Sequence, residues 1–170
     1  MTKKTDSKKA KSTKVQYAKS EEIISHIDVF LGYWLRFVSN QVTSAFQQRL
    51  MERGVNVAEW FALRVLYSSQ PCSLTELAEE IGMDKGVVSR LTDRLEKQGL
   101  IKRTIPMEDR RLFSIELTAS GRKLVPVLAK IAQENDQRFF GHLSKEEIAA
   151  MTDFLKDLVV RHDFRSKPIT

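Results

Sequence analysis

The chain has 170 residues, is 42% hydrophobic and carries a formal net charge of +6, which suits one ordinary globular core with appendages and excludes two large domains. No uncharged apolar run approaches the roughly 20 residues that span a bilayer, and no apolar segment follows the basic start, so a soluble, cytoplasmic protein is expected. A single cysteine, Cys72, excludes an internal disulfide.

Residues 1–20 hold seven lysines against Asp6, so the whole excess charge lies there and the remainder is balanced. Lysine, serine and threonine without apolar partners cannot offset the entropy of ordering, which predicts a disordered basic tail. Such a tail is either a solvated segment or an arm that attracts phosphate without reading sequence. From Ile23 to about Arg53, Ile27, Phe30, Leu31, Trp34, Phe37, Val38, Val42, Phe46 and Leu50 recur at helical spacing, and Gly54 supplies a stop. Asn56-x-x-Glu59 has the form of a capping box and opens a second helix with Trp60, Leu63 and Leu66 inward, ending before Ser68–Pro71.

Ser73-x-x-Glu76 caps a short helix, Leu74 to Ile81. Gly82 breaks it, Asp84 caps the next helix, Lys85 to Gln98, whose inner side is Val88, Leu91 and Leu95, and Gly99 closes that one. Leu100–Ile105 and Leu112–Leu117 read as a hairpin around the charged segment 106–111. Thr118 caps a long helix to about Gly141, which Pro126 is expected to bend or interrupt. Ser144-x-x-Glu147 opens a last helix to about His162, with Ile148, Met151, Leu155, Leu158 and Val159 on one face.

The expected fold is therefore mainly α with a small β-hairpin wing. It divides into a tail (1–20), an N-terminal helix (21–54), a winged helix-turn-helix (55–118) and C-terminal helices (119–165). Small Ala78, Gly82 at the turn and β-branched Val88 are what two steeply crossed short helices need. The outer face of the second of these helices presents Lys85, Gly86, Ser89, Arg90, Asp93, Arg94 and Lys97, and the hairpin tip adds Asp109, Arg110 and Arg111. Residues 85–111 carry eight basic and four acidic side chains in an otherwise balanced body. Positive charge thus gathers where a helix would enter a major groove. A solvated charged face is the plainer reading of the same residues. The terminal helices carry more apolar surface than so small a core can cover, which points to a dimer.

The segments LTELAEEIGMDKGVVSRLTDRLEKQGLIKR, EDRR and LTASG resemble the MarR family of multiple-antibiotic-resistance regulators over about residues 23–163. The resemblance implies a homodimer formed by the first and last two helices, bound to palindromic double-stranded DNA. It places the second motif helix in the major groove, the wing in the minor groove, and Asp109 as the carboxylate that orients Arg111. The DNA-contacting residues it suggests are Ser73, Thr75, Lys85, Gly86, Ser89, Arg90, Arg94, Asp109, Arg110 and Arg111. Family members commonly release DNA when a small aromatic carboxylate or phenolic ligand binds between the dimerisation helices and the winged domain. Tyr33, Trp34, Trp60 and Arg64 suit that chemistry, although the tryptophans also lie on apolar stripes expected to be core.

Other signals are weaker. Cys72 sits just ahead of a helix start, where the dipole can lower a thiol pKa, which leaves a redox-responsive regulator as an alternative to an inert thiol. His26, His142 and His162 have no metal-ligand spacing. No glycine-rich phosphate loop, nucleophile elbow or HExxH motif is present, so neither an enzyme nor a cofactor is expected. The expected function is a sequence-specific regulator, a repressor by resemblance. A winged-helix interaction or architectural module without small-molecule input is the competing class.

Overall fold

The structure, a computed structural model, describes residues 26–68, 71–104 and 114–164. The basic tail and the predicted wing tip with Asp109, Arg110 and Arg111 lie outside them. The chain divides between Ser39 and Asn40 into two compact units.

In the first unit a 3-10 turn, Ile27–Val29, precedes helix α1 (Leu31–Met51). Of the helix expected from Ile23, the described residues 26–30 form this turn and an extended Phe30 instead. An i, i+3 apolar spacing such as Ile27 and Phe30 fits a 3-10 turn as well as an α-helix, so periodicity alone did not separate them. The indole of Trp34 donates to the carbonyl of Asp28 at 2.7 Å. Tyr33, Trp34 and Phe37 pack ring on ring, while Ile27, Leu31, Trp34, Phe37 and Val38 stay exposed.

The second unit contains the rest of α1 and then α2 (Val57–Ser68), β1 (Cys72–Ser73), α3 (Leu74–Ile81), α4 (Lys85–Lys97), β2 (Ile101–Thr104), β3 (Ser114–Leu117), α5 (Ala119–Phe140) and α6 (Lys145–Arg161). Among the described residues this is six α-helices and one antiparallel sheet of order β1-β3-β2. The two-stranded wing expected from the sequence therefore gains a third strand. Its two residues pair Cys72 with Ile115 and Ser73 with Ser114, a length too short for any alternation to reveal. In the hairpin proper, Arg103 lies opposite Ile115 and Lys102 opposite Glu116, with Lys102 Nζ 2.9 Å from the Glu116 carboxylate.

Leu50, Leu63, Leu66, Leu77, Ile81, Val88, Leu95, Ile101, Ile115 and Leu128 form one fully buried core drawn from every helix but α6, and from both hairpin strands. The LTASG segment explains how α5 joins it. Thr118 Oγ1 accepts from the Gly121 amide at 3.1 Å and donates to the Gly99 carbonyl at 2.6 Å. A Cβ on Gly121 would stand 2.1 Å from the Leu100 carbonyl oxygen, so only glycine fits there. The helix then runs without a break through Pro126. Proline has no N–H to donate, so one hydrogen bond of the helix is missing at Pro126 while the helix continues on both sides of it. No residue of α6 is buried, and Ile148, Met151, Phe154, Leu155 and Val159 all face outward. Among the described residues no helix is long and apolar enough to cross a membrane.

Candidate nucleic-acid interface

The site begins with two short helices and the turn between them. At the head of α3, Ser73 Oγ accepts from the Glu76 amide at 3.2 Å, and the Ser73 amide donates to Glu76 Oε2 at 2.8 Å. That amide bond, with the serine hydroxyl, holds the Glu76 carboxyl below its usual range. Gly82 ends α3 in the left-handed region at φ 70°, where its amide returns to the carbonyls of Ala78 and Glu79. A side chain at that φ would be strained, so the sharp reversal that redirects the chain into α4 needs glycine. Asp84 has the extended backbone of an N-cap, but its side chain makes no capping bond.

Helix α4 is two-faced. Val88, Leu91, Thr92 and Leu95 are buried, while Lys85, Gly86, Arg90, Arg94 and Lys97 are exposed and Ser89 is half-buried. A Cβ on Gly86 would meet no atom within 4 Å. Nothing inside the protein requires glycine at this helical position, where it weakens the helix. Bare backbone at an exposed helix start is instead what close approach by a second molecule requires.

Two ion-pair groups fix this helix. Arg103 on β2 reaches across to α4: Nη2 donates to Thr92 Oγ1 at 2.9 Å and to Asp93, and Nη1 lies 3.2 Å from Glu96. The Arg103 amide also donates to Glu96 Oε1 at 3.2 Å. One guanidinium thereby sets the hairpin against the middle of α4. On the other side, Arg94 Nε lies 3.0 Å from Oε1 of Glu59, a residue only 1% exposed. Glu59 is also the capping-box glutamate of α2, accepting from the Asn56 amide at 2.7 Å.

The structure thus brings Lys85, Gly86, Ser89 and Arg90 onto one open face, as expected. Arg94 is exposed along part of its length but anchored to Glu59, and the Ser73 hydroxyl is occupied in its capping box. Thr75 is half-buried. Arg103, Thr92 and Glu59 were not anticipated: Glu59 was visible as a cap, but its burial follows only from how α2 and α4 pack.

The residues considered for a ligand are dispersed. Trp60 is in the core, edge-on to Phe46, and Arg64 is exposed and bonded to Ser68 Oγ at 3.1 Å. Tyr33 and Trp34 belong to the first unit. Cys72 bears on the redox alternative. Burial first, and the Glu76 charge second, raise its thiol pKa, which suppresses the thiolate that redox sensing needs. Burial of the side chain outweighs its position near a helix start. Among the described residues no group of three or more histidine, cysteine or carboxylate side chains could hold a metal ion.

A helix-turn-helix whose second helix is open on one face and braced by a β-wing on the other defines a winged-helix, DNA-binding protein. The MarR family model matches residues 55–113. The transcriptional repressor NicR of Pseudomonas putida is 24% identical over 159 residues, 94% of this chain and 96% of NicR. A DNA complex of S. aureus MepR matches with a TM-score of 0.71 at 28% identity, over 78% of this chain and 98% of that one. A structure addressing regulation of DNA binding of Bordetella bronchiseptica BpsR by 6-hydroxynicotinic acid gives 0.69 at 26%, over 78% and 95%. The chain is thus similar to MarR-family proteins, with the family model matched over residues 55–113, and is a DNA-binding transcription regulator.

Proposed function

We propose that this regulator is a repressor that binds an inverted-repeat duplex as a homodimer and leaves it when a small aromatic molecule binds. The observation that carries the DNA reading is the open face of α4, where Lys85, Gly86, Ser89 and Arg90 surround a stretch of uncovered backbone. Arginine and serine suit base edges and phosphates in the major groove, and Gly86 lets the helix start come close. The wing residues Asp109, Arg110 and Arg111 complete the reading surface in the minor groove, with Asp109 orienting Arg111.

Two observations support the dimer. Residues 27–38 expose Ile27, Leu31, Trp34, Phe37 and Val38, and α6 exposes Ile148, Met151, Phe154, Leu155 and Val159, apolar side chains that a second copy would cover. Likeness to the repressor NicR supports repression, and likeness to BpsR, whose DNA binding 6-hydroxynicotinic acid regulates, supports control by a small ring compound.

Selection of binding sites from random duplexes at near-physiological salt tests this reading, with mass measured in parallel. An enriched inverted repeat with half-sites about one helical turn apart, bound by a dimer, is expected. A salt-sensitive affinity with no enriched sequence would replace the regulator by an architectural module.

A further inference from the structure

The wing and the recognition helix share one arginine. In the sheet order β1-β3-β2, strand β2 is an edge, and Arg103 carries it onto α4. The Arg103 amide donates outward from that edge to Glu96 Oε1 at 3.2 Å, which satisfies a backbone donor at the sheet's margin. Its guanidinium then reaches three side chains of α4: Thr92 at 2.9 Å and Asp93 through Nη2, and Glu96 at 3.2 Å through Nη1.

Thr92 is the member of this group that packing alone does not explain. It is fully buried, where valine would fill the same space with no hydroxyl to satisfy. Its Oγ1 donates to the Ser89 carbonyl at 2.9 Å and accepts from Arg103. A hydroxyl has one proton, and a guanidinium can only donate, so the arginine leaves that proton directed at Ser89. Arg103 is thereby tied, through two hydrogen bonds, to the backbone of a residue on the DNA-binding face. A lysine would keep the charge, but an ammonium group has no planar fork with which to span Thr92, Asp93 and Glu96 together.

These contacts argue against a phosphate role for Arg103 itself. Its side chain is only 27% exposed, and two carboxylates already hold its charge. We infer that Arg103 is a positioning residue for DNA reading: it fixes the wing against α4, and so sets the distance along the duplex between the bases that α4 reads and the flanking bases that the wing reads. The inference rests on the reading above of Asp109, Arg110 and Arg111 in the minor groove. Those residues lie in the chain between β2 and β3, so the strands that Arg103 holds are the ones that aim them. Successive base pairs stand about 3.4 Å apart along the duplex. A wing free to tilt by that much would address neighbouring base pairs in turn and lose its preference for any one of them.

The test uses the full chain and three duplexes: the selected site, the same half-site cores with scrambled flanks, and a fully scrambled sequence. The readout is the ratio of affinities for the first two at one salt concentration, with unfolding midpoints measured in parallel. The parent is expected to prefer matched flanks about tenfold, the scale of a base-directed contact. Arg103→Lys, which keeps the charge, should reduce that ratio to about twofold while still favouring the cores over the fully scrambled duplex. Thr92→Val, the same shape without the hydroxyl, should fall between the two, and it decides the matter alone if Arg103→Lys does not fold. Ser144→Ala, which loosens the distant cap of α6, should keep the parent's ratio and so separates positioning from loss of stability. A ratio in Arg103→Lys equal to the parent's would overturn the positioning role and leave charge alone; so would a loss of affinity in equal proportion for all three duplexes. A parent that ignores its flanks would instead remove the wing from the reading above, and the aiming role of Arg103 would fall with it.

Discussion

Arg94 and Glu59 meet at 3.0 Å across the α2–α4 contact with very unequal surroundings: the arginine side chain is 56% exposed and the glutamate 1%. Glu59 Oε1 accepts no hydrogen bond, so its compensation there is the guanidinium charge. Removing the arginine would leave a buried carboxylate with one capping amide and no counter-charge. Arg94→Ala is therefore expected to destabilise the fold by about 1–3 kcal/mol, below the usual loss for a fully buried pair because water reaches the arginine. Glu59→Gln combined with Arg94→Met should recover much of it. Denaturant unfolding of the two singles and the double completes the cycle. A deficit for Arg94→Ala within error of zero would make the contact incidental. The same variants decide whether Arg94 also touches phosphate. If it does, the double variant lowers the salt slope of DNA binding by about one; if it is only an anchor, the slope is unchanged.

Much of this arrangement was legible in the sequence because it depends on local chemistry. Ser73 with Glu76, Asn56 with Glu59 and Ser144 with Glu147 all form the capping boxes that their spacing announces. Val88, Leu91 and Leu95 are buried as the 3.6-residue period requires. What escaped were relations across the fold. Arg103 reads as one more basic residue of a charged hairpin until β2 is seen to lie against Thr92 and Glu96. Asn135 reads as a polar residue in a long helix, and its burial against the Val42 carbonyl arises from a residue 93 positions away. Trp60, which suits either a ligand wall or the core, lies in the core as its apolar stripe implies, with Phe46 edge-on to it.

Two glycines should respond in opposite directions. Gly121→Ala puts a methyl group into the Leu100 backbone, and relief requires the β3–α5 junction to open. A loss of about 1–3 kcal/mol is expected, the range of an overpacked core. Gly86→Ala meets open space and should stabilise α4 by about 0.5–1 kcal/mol. If DNA approaches this backbone, the more stable variant binds its duplex more weakly. Thermal unfolding and duplex titration of both variants provide the comparison, and tighter DNA binding by Gly86→Ala would contradict the close approach.

Acid should unfold the protein partly through its caps. The Ser73 and Ser144 amides hold the Glu76 and Glu147 carboxyls below the ordinary value of 4.5. A carboxyl lowered in the folded state contributes stability above its unfolded pKa and loses it as pH falls through the folded value. Glu147→Gln should therefore be less stable than the parent at neutral pH, with the gap closing on acidification to about pH 3. Ser144→Ala, which removes the hydroxyl acceptor, should cost about 0.5–2 kcal/mol near neutrality. Unfolding midpoints across this pH range check both; a gap that stays constant with pH would mean that the Glu147 charge is not what the cap uses.

The division of labour on the DNA-binding face gives the sharpest contrast. Arg90 sits one helical turn beyond Gly86 on the exposed side of α4, where a guanidinium can take both acceptors of a guanine. Lys85, at the helix start, suits a phosphate. Arg90→Ala is expected to weaken the selected duplex by about 1–3 kcal/mol and to relax preference at one base pair. Lys85→Ala should weaken selected and unrelated duplexes alike and lower the salt slope by about one. Arg111→Ala should resemble Arg90→Ala in magnitude, with its effect confined to A·T-rich flanks where the minor groove is narrow. Removal of residues 1–20, with their seven lysines, should reduce the salt slope while leaving the preferred sequence intact, because lysine charge attracts phosphate without reading bases. Titrations of each variant on matched and scrambled duplexes at several salt concentrations separate these outcomes. If Arg90→Ala lost affinity equally for both duplexes, α4 would be a charged platform, and base reading would have to come from the wing alone.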